Sequence, residues 1–174
     1  MQCADANSTA FGPLSREVKL ERWGARAFHI VPCSFFVDVP LDMSGCIAAA
    51  LHDAQAIGHR RTPGGAILAS DARRGGAVFV EVDPPSSDEL PIAWIEGELL
   101  SRTLPQGAPQ LRAEVTELVR WSDELSREVA AFYVGFSAGE RPRTFRPSRL
   151  YAMLDGGEIV EHFEVRTKRQ YVSR

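Results

Sequence analysis

The side chains in this sequence best suited to acid–base chemistry are carboxylates and histidines set two apart in strand-forming runs. Glu96 and Glu98 lie in the run Ile92 to Leu104, so an extended backbone puts both on one face with Trp94 and Leu100. Two carboxylates among apolar neighbours bind a cation, or divide acid and base roles as their surroundings push their pKa values apart. Near the C-terminus, Ser148 to Leu154 and Glu158 to Thr167 flank Asp155-Gly156-Gly157, the composition of a hairpin. With Gly156-Gly157 as its loop, Leu154 faces Ile159, Ala152 faces Glu161, Leu150 faces Phe163 and Ser148 faces Val165. A loop at Asp155-Gly156 would spoil that apolar matching, and the buried face chooses the register. Glu161 is then expected to point toward the helices, where desolvation raises a carboxyl pKa toward that of a general acid or base. The opposite face would set Tyr151 across from His162 and Arg149 across from Glu164, holding an anion at Arg149 while His162 moves a proton. The expected catalytic residues are Glu161, His162, Glu96 and Glu98, and the expected ligand-binding residues are Arg149, Tyr151, Glu164 and Trp94.

Other motifs carry less. Gly135-Phe136-Ser137-Ala138-Gly139 matches G-x-S-x-G, with Asp155 and His162 following in the order of a hydrolase triad. An elbow needs a helix after the serine, and Glu140-Arg141-Pro142-Arg143 does not start one; a helix C-terminal cap at Gly135 or Gly139 is the simpler expectation. His52 and His59 share a face only if a helix runs through Gly58, so they read as capping or surface groups, and His29 in an apolar strand reads as a satisfied core histidine. Arg141, Arg143, Arg146 and Arg149 lie around two prolines and read as a solvated connector. Cys3, Cys33 and Cys46 are odd in number and lack a C-x-x-C pair, which supports neither a disulfide framework nor a cysteine zinc site and suits a reducing compartment. No G-x-G-x-x-G, Walker A, H-E-x-x-H or EF-hand pattern occurs, so no metal and no cofactor is expected.

Composition narrows the partners. The 174 residues, 44% hydrophobic and 25% charged, suit one domain with one core. Twenty basic residues against 23 acidic ones leave a net charge of -3, which gives no broad attraction to nucleic acid or anionic membrane. No apolar run approaches the roughly 20 residues of a spanning helix, and Met1-Gln2-Cys3-Ala4-Asp5 does not resemble a signal peptide, so a cytoplasmic location is expected.

These residues need elements to hold them. Residues 1–15 and 170–174 read as tails around a single domain at 16–169. Two strands are expected over Glu17 to Trp23 and Phe28 to Val39, then a helix capped by Asp42 or Ser44 with Ile47, Ala50, Leu51, Ala54 and Ile57 in phase, ended by Gly58. Ala66 to Ser70 and Val78 to Val82 read as a hairpin, and Ile92 to Leu104 as the longest strand. Leu111, Val115, Leu118, Val119, Ser122, Leu125, Val129, Phe132, Tyr133 and Phe136 keep one helical phase from Pro109 onward, predicting a long amphipathic helix. A competing reading ends it near Arg127 and makes Val129 to Phe136 a strand.

The order after residue 26 is strand, helix, strand, strand, given twice. The predicted fold class is α+β: an antiparallel sheet with two main helices and a pseudo-twofold repeat of that unit. Doubled units of this kind, as in the small gyrase-inhibitor-like effector-binding domains, place helices on one sheet face and leave a cleft between the halves; the analogy is architectural and has no residue-level match. The expected function is binding of a small organic ligand in a pocket between the sheet and the long helix, lined by Trp94, Trp121 and Tyr133. Carboxylate and histidine chemistry of a hydrolase or lyase kind would follow there. The alternative is an interaction or chaperone-like module that forms a homodimer through the helix or an edge strand, without catalysis.

Overall fold

A computed structural model describes residues 18–33, 43–70, 76–85, 92–105, 111–139, 143–156 and 159–161. Their order is β1 (Val18–Pro32), α1 (Ser44–Ala56), β2 (Ile67–Ser70), β3 (Ala77–Glu81), β4 (Ala93–Thr103), α2 (Leu111–Glu124), β5 (Val129–Ala138), β6 (Phe145–Leu154) and β7 (Ile159–Glu161). The strand, helix, strand, strand unit thus occurs twice in one mixed domain. The strands neighbour one another in the order β1-β3-β2-β5-β6-β4, and β1 also pairs with β4, so six antiparallel strands close into a barrel. Each half is related to the other by its order in the ring, and the halves meet at β1–β4 and β2–β5.

Closure explains the length of β1. Strands of a barrel are staggered, so a strand joining two differently placed neighbours must be long. β1 pairs with β4 over Val18 to Phe28 and with β3 over Phe28 to Pro32. The two strands expected over residues 17–39 are therefore one as far as Pro32; residues 34–42 lie outside the described set. At 15 residues β1, and not the 11-residue β4, is the longest strand.

A closed sheet has an inner and an outer face, and alternation along each strand fills both. Inside, Trp23 stacks on Phe28 at 6.5 Å and meets Tyr151 edge-on at 5.1 Å. Phe28 meets Phe79 at 6.4 Å, and Phe79 meets Tyr133 at 5.5 Å, both edge-on. Tyr133 and Tyr151 are cross-strand partners, so five aromatics run round the interior with Ile95, Leu99 and Met153 among them. The space expected as a cleft between the halves is this packed interior. Outside, α1 lays Ile47, Ala50 and Met43 on Val78, Val80 and Ala27, and α2 lays Leu111 and Leu118 on Leu100, Leu150 and Ala152.

The first helix and the Ala66 hairpin follow the sequence reading, although Met43 takes the N-cap position and makes no side-chain cap bond. The long helix does not. α2 ends at Glu124, and Val129 to Ala138 form β5 between β2 and β6, which is the competing assignment. Ser126 adopts φ 54°, its N–H bonds to Asp123 O at 2.9 Å, and Arg127 N–H bonds to Ser122 O at 3.0 Å. That is the glycine-type helix stop made by a serine, invisible to a search for glycine. Ser137 consequently sits in β5 ahead of the β5–β6 hairpin and not on a strand-to-helix elbow, and Gly135 lies in mid-strand and caps no helix.

The final hairpin is also revised. β6 pairs with β4 through Leu99↔Met153 and β7 through Ile95↔Ile159, both antiparallel. The chain does not reverse at Asp155-Gly156; β7 continues along the same edge of β4 as β6. A reversal would leave the backbone of Ala93 to Ile95 without partners on that edge, and buried backbone groups require them. None of the described helices is long and apolar enough to cross a membrane.

Candidate functional site

The two helix ends are built alike and produce the two clefts of interest. At the end of α1, Gly58 takes φ 96°, its N–H bonds to Gln55 O at 3.1 Å, and His59 N–H reaches back to Ala54 O at 2.9 Å. A left-handed residue here suits glycine, and it turns the following side chain back under the helix. His59 is thereby buried, and its ring lies 5.2 Å from that of His29 on the outer face of β1. At the end of α2 the matching residue, Arg127, returns to the outer face of β4, where its Nη1 donates to Glu98 Oε2 at 2.9 Å. In each half, the residue after the helix stop folds back onto the first strand of that half.

The first cleft, of about 490 Å³, opens between α1 and β3 and is lined by Leu51, Ala54, Gln55, His59, Arg60, Arg61 and Val80. Behind His59, the His29 Nε2 lies 2.9 Å from Asp53 Oδ2. Since a carboxylate only accepts, Nε2 carries a proton and donates it to Asp53. His29 is 4% exposed, and its Nδ1 is buried without a hydrogen-bond partner among the described residues. Asp53, exposed on the flank of α1, thus fixes the orientation of the His29 imidazole. Arg60 and Arg61 add positive charge at the rim, and Leu51, Ala54 and Val80 an apolar wall, a combination that suits an anion with an apolar body.

The second cleft, of about 470 Å³, is lined by Arg22, Trp23, Gly24, Glu96, Gly97, Glu98, Arg127 and Gly156. It marks a break in the barrel wall. β1 bulges between Trp23 and Arg26, and Gly97 opposite takes φ 130°. Glu96 and Glu98 do share a face, as alternation requires, but Glu98 is engaged by Arg127 and lies 4.0 Å from Arg22. Arg127 also donates Nε to Asp155 Oδ1 at 2.6 Å and Nη2 to the Asp155 carbonyl. This arginine, just past α2, ties β4 to Asp155 at the end of β6.

The Arg127 guanidinium, by its hydrogen bond above all, holds the Asp155 carboxyl below the usual carboxylate range. A depressed folded-state pKa means that the pair stabilises the fold above the unfolded value of about 3.9, and that this contribution is lost as pH falls through the lower folded value. Asp155→Asn is expected to lower stability at neutral pH and to leave it unchanged in strong acid. Urea unfolding across that range checks this, and a loss independent of pH would count against the pairing.

The other anticipated residues are dispersed. Trp94 is half-buried against the α1-side core, Trp121 packs on the α2 side, and Tyr133 faces the barrel interior. Those three do not come together: the barrel wall separates Tyr133 from the two tryptophans, which pack on different helix sides of the outer face. Tyr151 points inward, and burial raises its phenol pKa. Arg149 also turns inward, its Nη1 donating to Glu21 Oε1 at 3.2 Å. Glu21 further accepts from Trp23 Nε1 at 3.0 Å and from Ser101 Oγ. The Glu161 backbone pairs with Ala93; because β7 runs on from β6, Ala152 lies opposite Leu100 and Tyr151 opposite Ser101, not Glu161 and His162. His162 and Glu164 lie outside the described residues.

Sequence reasoning missed the Asp53–His29–His59 arrangement. The available signal was Gly58: a glycine stop folds the next residue back under its own helix. Among the described residues no three His, Cys, Asp or Glu side chains gather as metal ligands do. No protein-family model, curated protein or solved structure matches the chain.

Proposed function

We propose that this protein binds a small organic anion in the cleft between α1 and β3, and that His59 exchanges a proton with it, backed by the Asp53–His29 pair. The observation that carries this reading is the buried His29, held by a carboxylate at 2.9 Å with its other nitrogen unsatisfied among the described residues, ring to ring with a histidine that lines the cleft. A polar atom buried without a partner costs stability, and such costs concentrate where they serve a site. The acid–base chemistry expected from carboxylates and histidines keeps its residue types and moves to the first helix. His59 is the group in contact with ligand; His29 and Asp53 are positioning residues.

The test is a thermal-shift and calorimetric titration with benzoate, phenyl phosphate and inorganic phosphate. An anion that binds the native state raises its melting temperature by mass action. Charge-assisted hydrogen bonds of about 1.5–3 kcal/mol predict that the double substitution Arg60→Ala and Arg61→Ala weakens binding tenfold or more. His59→Asn is expected to weaken binding as well, because the imidazole lining the cleft is lost. Anion binding indifferent to these substitutions, or none with any of the three probes, would sink the proposal.

The dimerising-module reading draws less support. Among the described residues the exposed large hydrophobics are Ile57, at the end of α1, and Val119, on α2; two separated side chains make no apolar docking face.

A further inference from the structure

Two imidazoles meet beside the cleft between α1 and β3, each on backbone that is already fixed. His29 sits in β1 opposite Val80 of β3, which lines the cleft. His59 is turned under α1 by its own N–H bond to Ala54 O at 2.9 Å. Both are more than nine-tenths buried, at 4% and 7% exposure. His29 Nε2 donates to Asp53 Oδ2 at 2.9 Å, and His29 Nδ1 is buried with no hydrogen-bond partner among the described residues. A neutral imidazole whose Nε2–H is held by a carboxylate presents its lone pair at Nδ1, the arrangement of a metal-ligating histidine with its outer acid. The spacing of the rings fits the same chemistry. A divalent ion held at about 2.0–2.1 Å by one nitrogen of each ring, with a tetrahedral angle between them, sets the ring centroids about 5 Å apart. Those of His29 and His59 lie 5.2 Å apart.

We infer that His29 and His59 together bind one divalent ion of the zinc class, with Asp53 as the acid that orients His29. Imidazole nitrogen suits zinc, copper and nickel, whereas magnesium and calcium are held by oxygen. Two protein ligands leave two positions of a tetrahedral ion for water or for an anion. The inference rests on the reading of this cleft as a binding site and concerns its regulation. Zinc takes the His59 lone pair, so the zinc-loaded site no longer exchanges a proton with its anion.

The experiment is an NMR titration of the full chain, isotopically labelled at the histidine nitrogens, with zinc chloride at neutral pH and no anion probe. The chain has four histidines, and His52→Ala, His59→Ala and His162→Ala assign the ring signals by difference, which leaves His29 intact. The expected result is that the His29 and His59 signals move together with a single saturation. His59→Ala should remove the zinc shift at His29. Asp53→Asn should weaken zinc binding about 10–100-fold, the usual loss when the outer partner of a ligating histidine is removed. The double substitution Arg60→Ala and Arg61→Ala, which should weaken anion binding, is expected not to weaken zinc binding, so either proposal can fail without the other. Zinc shifts confined to His52 or His162, no shift at any histidine, a His29 shift that survives His59→Ala, or affinity indifferent to Asp53→Asn would overturn the inference.

Discussion

Phe28→Ala is expected to cost about 4 kcal/mol, within the range for emptying a phenylalanine site in a core. The ring is fully buried in the barrel interior, stacked on Trp23 and edge-on to Phe79. Its backbone is the point where β1 passes from one neighbour to the other, since Phe28 opposes Ala93 of β4 and Glu81 of β3. Neighbouring side chains there are fixed in a closed ring of strands and collapse poorly into a void, which keeps the cost from falling to the lower end of that range. A domain with a total stability of about 5–15 kcal/mol would lose a large fraction of it. The midpoint of urea unfolding measures this directly. A loss below about 1.5 kcal/mol would mean that the interior is not close-packed as described.

Gly135→Val should cost about 2–3 kcal/mol, through overfilling and not emptying. A Cβ at Gly135 would lie 2.9 Å from Tyr151 Cε2, closer than carbon atoms approach, and 3.5 Å from the Arg149 carbonyl. Tyr151 cannot simply turn away, because Trp23 holds its ring edge-on at 5.1 Å. Tyr151→Leu removes the offending ring edge, so the pair should be less damaging together than the sum of the singles, by about 1 kcal/mol or more. Tyr151→Phe removes the hydroxyl, keeps Cε2 and should give no relief. Strict additivity in the first cycle, or rescue by the phenylalanine, would show that the steric account is wrong.

The legible parts of this fold were those set by local physics. Period-two alternation placed Glu96, Glu98 and Trp94 on one face of β4. The spacing Ile47, Ala50, Ala54 gave the buried stripe of α1, and Gly58 ended it; the doubled unit was read with the wrong strands, since its second half was expected to end on residues 148–154 and 158–167 and ends on β5 and β6. Reading failed where local preferences tie. Val129 to Phe136 fits a helical stripe and a strand equally, and the choice fell to the open edges of β2 and β6, which need a strand between them. The end of α2 carried no flag, because Ser126 occupies a conformation usually marked by glycine. Asp155-Gly156-Gly157 has turn chemistry, but turn chemistry does not say whether the chain reverses; Arg127 on Asp155 and the unpaired edge of β4 decided that it continues.

By itself the sequence determined the number and order of most elements, the parity of each strand and the kinds of side chain available for chemistry, because these depend on residues within a few positions of one another. Tertiary structure alone decided that the sheet closes, that Tyr133 and Tyr151 face inward, and that Asp53, His29 and His59 meet beside a cleft. Ring closure and burial are properties of strands and helices far apart in the chain, and their free energy depends on which faces finally touch.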